Sequence, residues 1–482
     1  MPFNPEEMND ALRRARLAQS AWSALPLSAR LAPIRALRSL LASDPKPLAE
    51  VVAKEIGKSR FEAISTEILP SAEVCRFLLD RAGSLLAPRR EVMRGTMPFT
   101  GSAVIQHLPW GVVAILVPWN YPLFLAAGPT LNALVAGNAV VLKASPRAKE
   151  TVAALVQKLW DAGFPRDLVV ALDSSDEAGR ALTASPLIDK IVFTGGSSTG
   201  RSVLAAAAKN LVPATVELSG YDSVFILRDA NVKLAADAVT FGLRLNGGRT
   251  CICPRRVFVE APVADDFISQ LKERLNRLKL SAPMDPQTLR EADAFAEKLS
   301  TTPGAQMQVE RRAGEKEKAL MLVGGREALA AAQGNFLPAI VVTQVMDAED
   351  ALQLDRESPY ALGGSVFSQN VATAVALASR LRAGIIGINE CVVQAAEAAL
   401  PFGGTGESGY GVRGGDEGLM EMTRPQSLAI ARGTFRPHHV AESEAEDFVL
   451  ALLRARHSGS WLARVKGWFD YACEGISWKP PK

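Results

Sequence analysis

Asn246-Gly247-Gly248-Arg249-Thr250-Cys251 ends a helix-like run and leads into the strand-like Arg256-Val257-Phe258-Val259. Glycines at a turn allow tight backbone approach. The sulfur of a cysteine placed there can face a cleft rather than the core. Only thiolate attacks a carbonyl, and a free thiol has a pKa of about 8.5, so a working nucleophile needs help from its surroundings. A lone cysteine more often reads as an inert buried side chain. The rest of the chain decides between the two.

Upstream of this turn, short apolar runs alternate with helix-length segments. The runs are Ala139 to Leu142, Leu168 to Ala171, Lys190 to Phe193, Ala214 to Leu218 and Val224 to Leu227. Such alternation predicts βαβ units and a parallel, doubly wound sheet. A second series follows: Val257 to Val259, Ile340 to Val342, Gly364 to Phe367 and Ile385 to Ile388. The break between the series falls near 220 to 235, which predicts two α/β lobes with a cleft between them.

Residues 1 to about 90 read as helices: Ile34, Leu37, Leu40 and Leu41 recur at helical spacing, and Asp44-Pro45 ends that helix. Ala103 to His107 and Val112 to Val117 read as strands parted by the turn Pro109-Trp110-Gly111. Residues 281 to 335 carry little periodic signal. Ser427 to Arg432 reads as one further strand, and the composition changes after Arg436. No internal repeat is visible.

With 482 residues, 48% hydrophobic and 22% charged, the composition is that of an ordinary soluble protein with a large core. A net charge of +3 supports no nucleic-acid surface. Five cysteines in so long a chain form no disulfide scaffold, which points to a reducing compartment. The start, Met1 to Glu7, shows no signal peptide. The apolar run Phe124 to Leu142 is interrupted by glycine, proline and asparagine, so it reads as a buried helix, turn and strand rather than a membrane span. The expected location is cytoplasmic.

Three stretches besides the cysteine turn carry chemistry. Pro118-Trp119-Asn120-Tyr121-Pro122 closes a strand and points the Asn120 amide off its carboxyl end, where α/β sheets place ligands. Phe193-Thr194-Gly195-Gly196-Ser197-Ser198-Thr199-Gly200 is a strand, a glycine turn and a helix start, where free N–H groups favour a phosphate. Glu217 ends an apolar strand 34 residues before Cys251, as a paired charge or a base raised in pKa by burial.

In order, the set PWNYP, GNAVVLK, FTGGSSTG, ELSG, NGGRTC and LPFGGTGESGYG resembles the NAD(P)-dependent aldehyde dehydrogenase superfamily, from about residue 10 to 433. The resemblance implies an aldehyde dehydrogenase-like α/β fold: a cofactor domain over 1–90 and 110–219, a catalytic domain over 220–414, and oligomerisation strands over 91–109 and 425–434. It implies a homodimer or homotetramer. It also implies that Cys251 adds to an aldehyde, that Asn120 and the Cys251 N–H hold the oxyanion, and that Glu217 activates the hydrolytic water. NAD or NADP is expected against Trp119, Lys143, Gly195, Gly196, Gly200 and Leu218.

The departures from the pattern fall on the cofactor. Lys143-Ala144-Ser145-Pro146 stands where the family commonly has Lys-Pro-Ser-Glu, which makes NADP at least as plausible as NAD. The best match to the family's Glu-Ile-Phe-Gly-Pro is Gly334 to Pro338, again without the carboxylate; alternatively that motif is deleted. Arg249 replaces a Gln and either lowers the thiol's pKa or points to solvent. These losses motivate two alternatives: a redox-inactive homologue acting as a binding or assembly subunit, and a cofactor-independent thioesterase or esterase.

Residues 437–482 lie outside the resemblance. Phe448 to Leu453 and Trp461 to Phe469 read as two amphipathic helices that pack on the protein or touch a membrane surface. In the second case, long-chain or lipid-derived aldehydes become the favoured substrates.

Overall fold

The computed structural model describes residues 3–92, 101–310, 314–432 and 442–477. Parts of the expected hairpin (93–100, 433–434) and of the expected tail (437–441, 478–482) lie outside them. The chain forms two units, Met1–Leu86 with His107–Arg424, and Ala87–Gln106 with Pro425–Lys482.

The first unit opens with helices. Pro5–Ser23 starts where the Asn4 side chain accepts the Glu6 N–H, and Leu27–Ser43 ends at Asp44 as expected. Lys46–Ile56 closes on the left-handed Gly57. After these come two sheets. One has six strands in the order Gly409–Tyr410, Ala214–Glu217, Lys190–Thr194, Val112–Val117, Ala139–Ala144, Val169–Ala171, parallel except for the first. Val112–Val117 and Ala139–Ala144 are buried along their whole length, as strands covered on both faces must be.

The other sheet has seven strands: Gln306–Val309, Leu320–Val323, Ala339–Val345, Pro254–Glu260, Asp222–Ile226, Gly363–Phe367 and Ile385–Ile388. All are parallel except Gln306–Val309. The two sheets part between Glu217 and Asp222, so the run Val224 to Leu227, read with the first series, instead belongs to the second sheet, where Asp222–Ile226 pairs with Pro254–Glu260 and Gly363–Phe367. The unreadable stretch holds the helix Pro286–Ser300, capped by Asp285, and two strands of four residues each. Runs that short leave no legible period.

In the six-stranded sheet the chain runs outward from Val112–Val117 on one side and returns through Lys190–Thr194 on the other. The loops leaving the carboxyl ends of these neighbours therefore diverge and open a crevice. Pro118 to Asn120 follows one strand and Gly195-Gly196 the other, so the fold puts both motifs at one switch point.

A separate three-stranded sheet has the order Arg89–Val92, Gly101–Pro109, Thr423–Ala431, with Arg89 opposite Ile105. It takes in Ala103 to His107 and Ser427 to Ala431, two runs read as strands from the sequence. In the second unit, helices Glu442–His457 and Trp461–Ser477 pack through Phe448, Ala451 and Tyr471, with the Phe448 and Tyr471 rings 4.4 Å apart. Among the described residues no helix is long and apolar enough to cross a membrane.

Candidate active site

Cys251 lies where two cavities meet. Both are lined by Cys251 and Leu125: one of about 390 Å³ and mostly apolar, the other of about 1020 Å³ and more polar. The turn before it is left-handed at Asn246, Gly247 and Gly248. A side chain at 248 would collide with Pro338, so the second glycine is required by close packing. Asn246 tolerates its conformation because its side chain is tied down, its Nδ2 donating to the Asn120 carbonyl at 2.8 Å.

Glu217 is brought to the sulfur. The Cys251 thiol donates to Glu217 Oε1 at 3.6 Å, while Glu217 Oε2 accepts from Arg413 Nε in a buried ion pair. The loop carrying Arg413 reaches the site because Gly409–Tyr410 adds an antiparallel strand beside Glu217. Arg413 in turn stacks on Phe402, 4.1 Å to the ring centre. Burial pushes the Cys251 thiol well above its ordinary pKa; Glu217 pushes it further and Arg413 opposes. At rest the sulfur is therefore protonated.

Asn120 is buried and lines the larger cavity, donating to the Arg249 carbonyl at 3.2 Å and keeping a second amide N–H. Arg249 neither faces solvent nor tunes the thiol as the sequence suggested. It is fully buried, bonded to the Asn246 carbonyl at 3.0 Å and paired with Asp285 at 3.7 Å. The cation that lowers the thiol's pKa is Arg413. A buried guanidinium needs an acceptor for each donor it can reach, and the acceptors here lie away from the sulfur.

The larger cavity also takes in Trp119, Lys143, Gly195, Gly196 and Leu218. Gly200 does not line it: a side chain there would strike Leu218, so this glycine seats the helix Ser197–Lys209 on the strand end. The cavity's size, its run from Lys143 to Cys251, and the open space beside Gly196 at that helix N-terminus fit an extended dinucleotide. The lost carboxylates leave visible traces. Gly334 is a left-handed turn and Pro146 starts a short helical turn, while Phe336 reaches the cavity and packs edge-on against Trp119. Arg147 stacks over the Trp119 ring, 3.7 Å to the ring centre. Sequence reasoning missed Arg413, two residues beyond the last quoted motif, and Glu62, which has no motif at all.

The aldehyde dehydrogenase family model matches residues 3–428. The chain belongs to the aldehyde dehydrogenase family. It is an oxidoreductase that oxidises an aldehyde with NAD or NADP. A Mycolicibacterium smegmatis protein with a provisional succinate-semialdehyde dehydrogenase [NADP(+)] assignment is 29% identical, covering 89% of this chain and 85% of that protein. The 4,4'-diapolycopene aldehyde oxidase of a Methylomonas species is 30% identical, covering 88% and 81%. Among solved structures, the NADP-dependent glyceraldehyde-3-phosphate dehydrogenase of Bacillus halodurans C-125, complexed with NADP, matches at a TM-score of 0.83 and 29% identity, covering 90% and 93%. Nothing in these comparisons favours the redox-inactive or esterase alternatives.

Proposed function

We propose that Cys251 is the nucleophile of this aldehyde dehydrogenase, Glu217 its base and Asn120 its oxyanion donor. The contact between the Cys251 sulfur and Glu217 carries the reading. The thiol yields its proton to Glu217 as the sulfur adds to the aldehyde carbon. The second N–H of Asn120 and the Cys251 backbone N–H meet the developing oxyanion, each donor worth about 3 kcal/mol. NAD or NADP, when bound, supplies the hydride acceptor. Cys251 then carries the acyl group as a thioester. Glu217, having passed the thiol's proton to solvent, takes a proton from water; the acyl group leaves as the carboxylic acid, and the departing sulfur takes that proton from Glu217 and returns to the thiol.

The cofactor would lie along Trp119, Lys143, Gly195, Gly196 and Leu218. NADP is the better fit: Lys143, Arg180 and Lys209 line the cavity, with Asp176 the single carboxylate among its lining residues. A 2′-phosphate gains from that excess of cations, and no carboxylate stands at position 146 to repel it. We expect kcat/KM for NADP to exceed that for NAD, and Lys143→Ala to cut the ratio about tenfold. Reduced-nicotinamide absorbance with a panel of aldehydes measures this. A preference for NAD that Lys143→Ala leaves untouched sinks the assignment.

The domain limits expected from the resemblance are kept: cofactor domain over 1–90 and 110–219, catalytic domain over 220–414, oligomerisation strands over 91–109 and 425–434. The three-stranded sheet supports the last of these. Thr423–Ala431 is exposed along most of its length and ends the sheet, an edge that another strand can cover. The assembly is a homodimer or homotetramer, and the five free cysteines favour a reducing, cytoplasmic setting.

The C-terminal hairpin is proposed to rest on an anionic membrane surface. Trp461, Leu462, Val465 and Phe469 are exposed on one helix, each more than half accessible. At about 100° per residue they share one stripe. Arg464 and Lys466 fall on its two margins, while Tyr471 and Gly467 turn inward against the partner helix. We expect the full chain to float with vesicles containing phosphatidylserine and a chain ending at Arg436 to stay behind. Equal flotation of the two removes the idea.

A further inference from the structure

The smaller cavity is the way in to Cys251 that the cofactor would not occupy, and its walls differ sharply from those of the larger one. Phe61, Phe124, Leu125, Phe241, Val392 and Val393 supply most of the surface. Three charged side chains also face it. Arg413 is spent on Glu217, and Arg244 is exposed, 5.9 Å from the Phe241 ring. The third is Glu62, which is buried.

Glu62 is held in an unusual way. Its helix, Arg60–Ala63, begins at Ser59, whose side chain accepts the Glu62 N–H. One carboxylate oxygen, Oε1, accepts the backbone N–H of Asn246 at 2.5 Å, at the foot of the cysteine turn. The other, Oε2, is buried and has no hydrogen-bond partner. Two cations lie within electrostatic reach, and each is engaged elsewhere. Lys58 is bonded to Glu67 at 2.6 Å, and Arg249 is bonded to the Asn246 and Ala282 carbonyls and paired with Asp285. A buried carboxylate oxygen without a donor is costly, so the wall presents a carboxylate oxygen that none of these cations bonds directly.

We propose that this cavity selects uncharged aldehydes with an apolar body, and that Glu62 is the residue that turns away aldehydes bearing a carboxylate. A hydrocarbon chain gains by leaving water for the aromatic and aliphatic walls. A substrate carboxylate would lie near the unpartnered Glu62 oxygen, because of the two cations lining the cavity Arg413 is paired with Glu217 and Arg244 is exposed. Rejection here works through like charge, a repulsive element set against the wrong substrate. The inference rests on Cys251 being the nucleophile, since that places the aldehyde group at the inner end of this cavity.

The test compares hexanal with succinate semialdehyde, which has the same number of heavy atoms and adds a carboxylate. With the full chain and NADP, kcat/KM for hexanal is expected to exceed that for succinate semialdehyde by at least about tenfold. Glu62→Gln keeps an oxygen for the Asn246 N–H and removes the charge. It is expected to raise the semialdehyde-to-hexanal ratio about tenfold, the size of one modest charge repulsion in a partly buried site. Glu62→Met, with similar volume, is expected to move the ratio the same way, so a folding defect in one variant does not hide the effect. Protection of Cys251 from iodoacetamide by each aldehyde, without nucleotide, reads the cavity independently of turnover. Protection by hexanal but not by the semialdehyde, in a chain that oxidises neither, would leave the selection standing and remove the catalytic reading. A wild-type chain that uses the semialdehyde as well as hexanal overturns the proposal. So does a ratio that neither variant shifts.

Discussion

Cys251→Ala is expected to lower the rate of aldehyde oxidation by at least about 10⁴-fold, because the covalent route disappears and no other nucleophile lines both cavities. Cofactor binding should survive, since Cys251 is one of many residues lining the larger cavity, most of which come from other strands and helices. Production of reduced nicotinamide and nucleotide titration, measured on the same samples, separate the two. Activity within tenfold of wild type would end the assignment. The same thiol carries a pH signature. Burial and Glu217 raise its pKa, so at neutral pH it is mostly protonated. Alkylation of Cys251, followed by peptide mass to separate it from the exposed Cys473, should therefore be slow at pH 7 and still accelerating near about pH 10. A rate already flat at pH 7 would mean that the site activates the thiol without substrate or nucleotide.

Glu217→Gln is expected to stop the cycle after the first turnover. The amide can fill the same space but cannot take a proton from water. Steady-state kcat should fall about 10³-fold, the scale of a lost general base, while a burst of reduced nicotinamide close to the enzyme concentration remains, formed more slowly because the thiol must then give its proton to solvent. Rapid mixing measures the burst. A kcat within threefold of wild type would show that Glu217 does not serve hydrolysis. Arg413 sharpens the test. Arg413 holds the Glu217 carboxylate beside the sulfur through their ion pair. Arg413→Met should therefore cost about tenfold in kcat. A kcat unchanged by Arg413→Met would reduce the ion pair to a packing role.

The comparison of motif with geometry is instructive at Arg249 and Arg413. Arg249 neighbours the cysteine in sequence, yet its guanidinium turns away to Asp285 and two carbonyls. Arg413 is far from both Cys251 and Glu217 along the chain, yet it is the cation at the sulfur. Sequence adjacency fixes where a backbone atom lies and says little about where a long side chain ends. The same limit hid the strands Gln306–Val309 and Leu320–Val323. Their pairing comes from neighbours in the sheet, and four residues are too few to show alternation.

What the sequence by itself determined is whatever depends on local backbone preference. Alternating apolar runs specified two parallel sheets, because buried strands and covering helices have different periods. Glycine turns after strands specified where ligands approach, because only those positions bring free N–H groups and close backbone together. That is why Cys251, Glu217 and Asn120 could be named in order. The tertiary structure alone decided which distant charges share a cavity: Arg413 with Glu217, 196 residues apart, and Glu62 with Asn246, 184 apart. Such pairings leave no periodic trace, since they arise when whole elements pack. For this protein they set which charged groups stand beside the sulfur and in the wall of the cavity that leads to it.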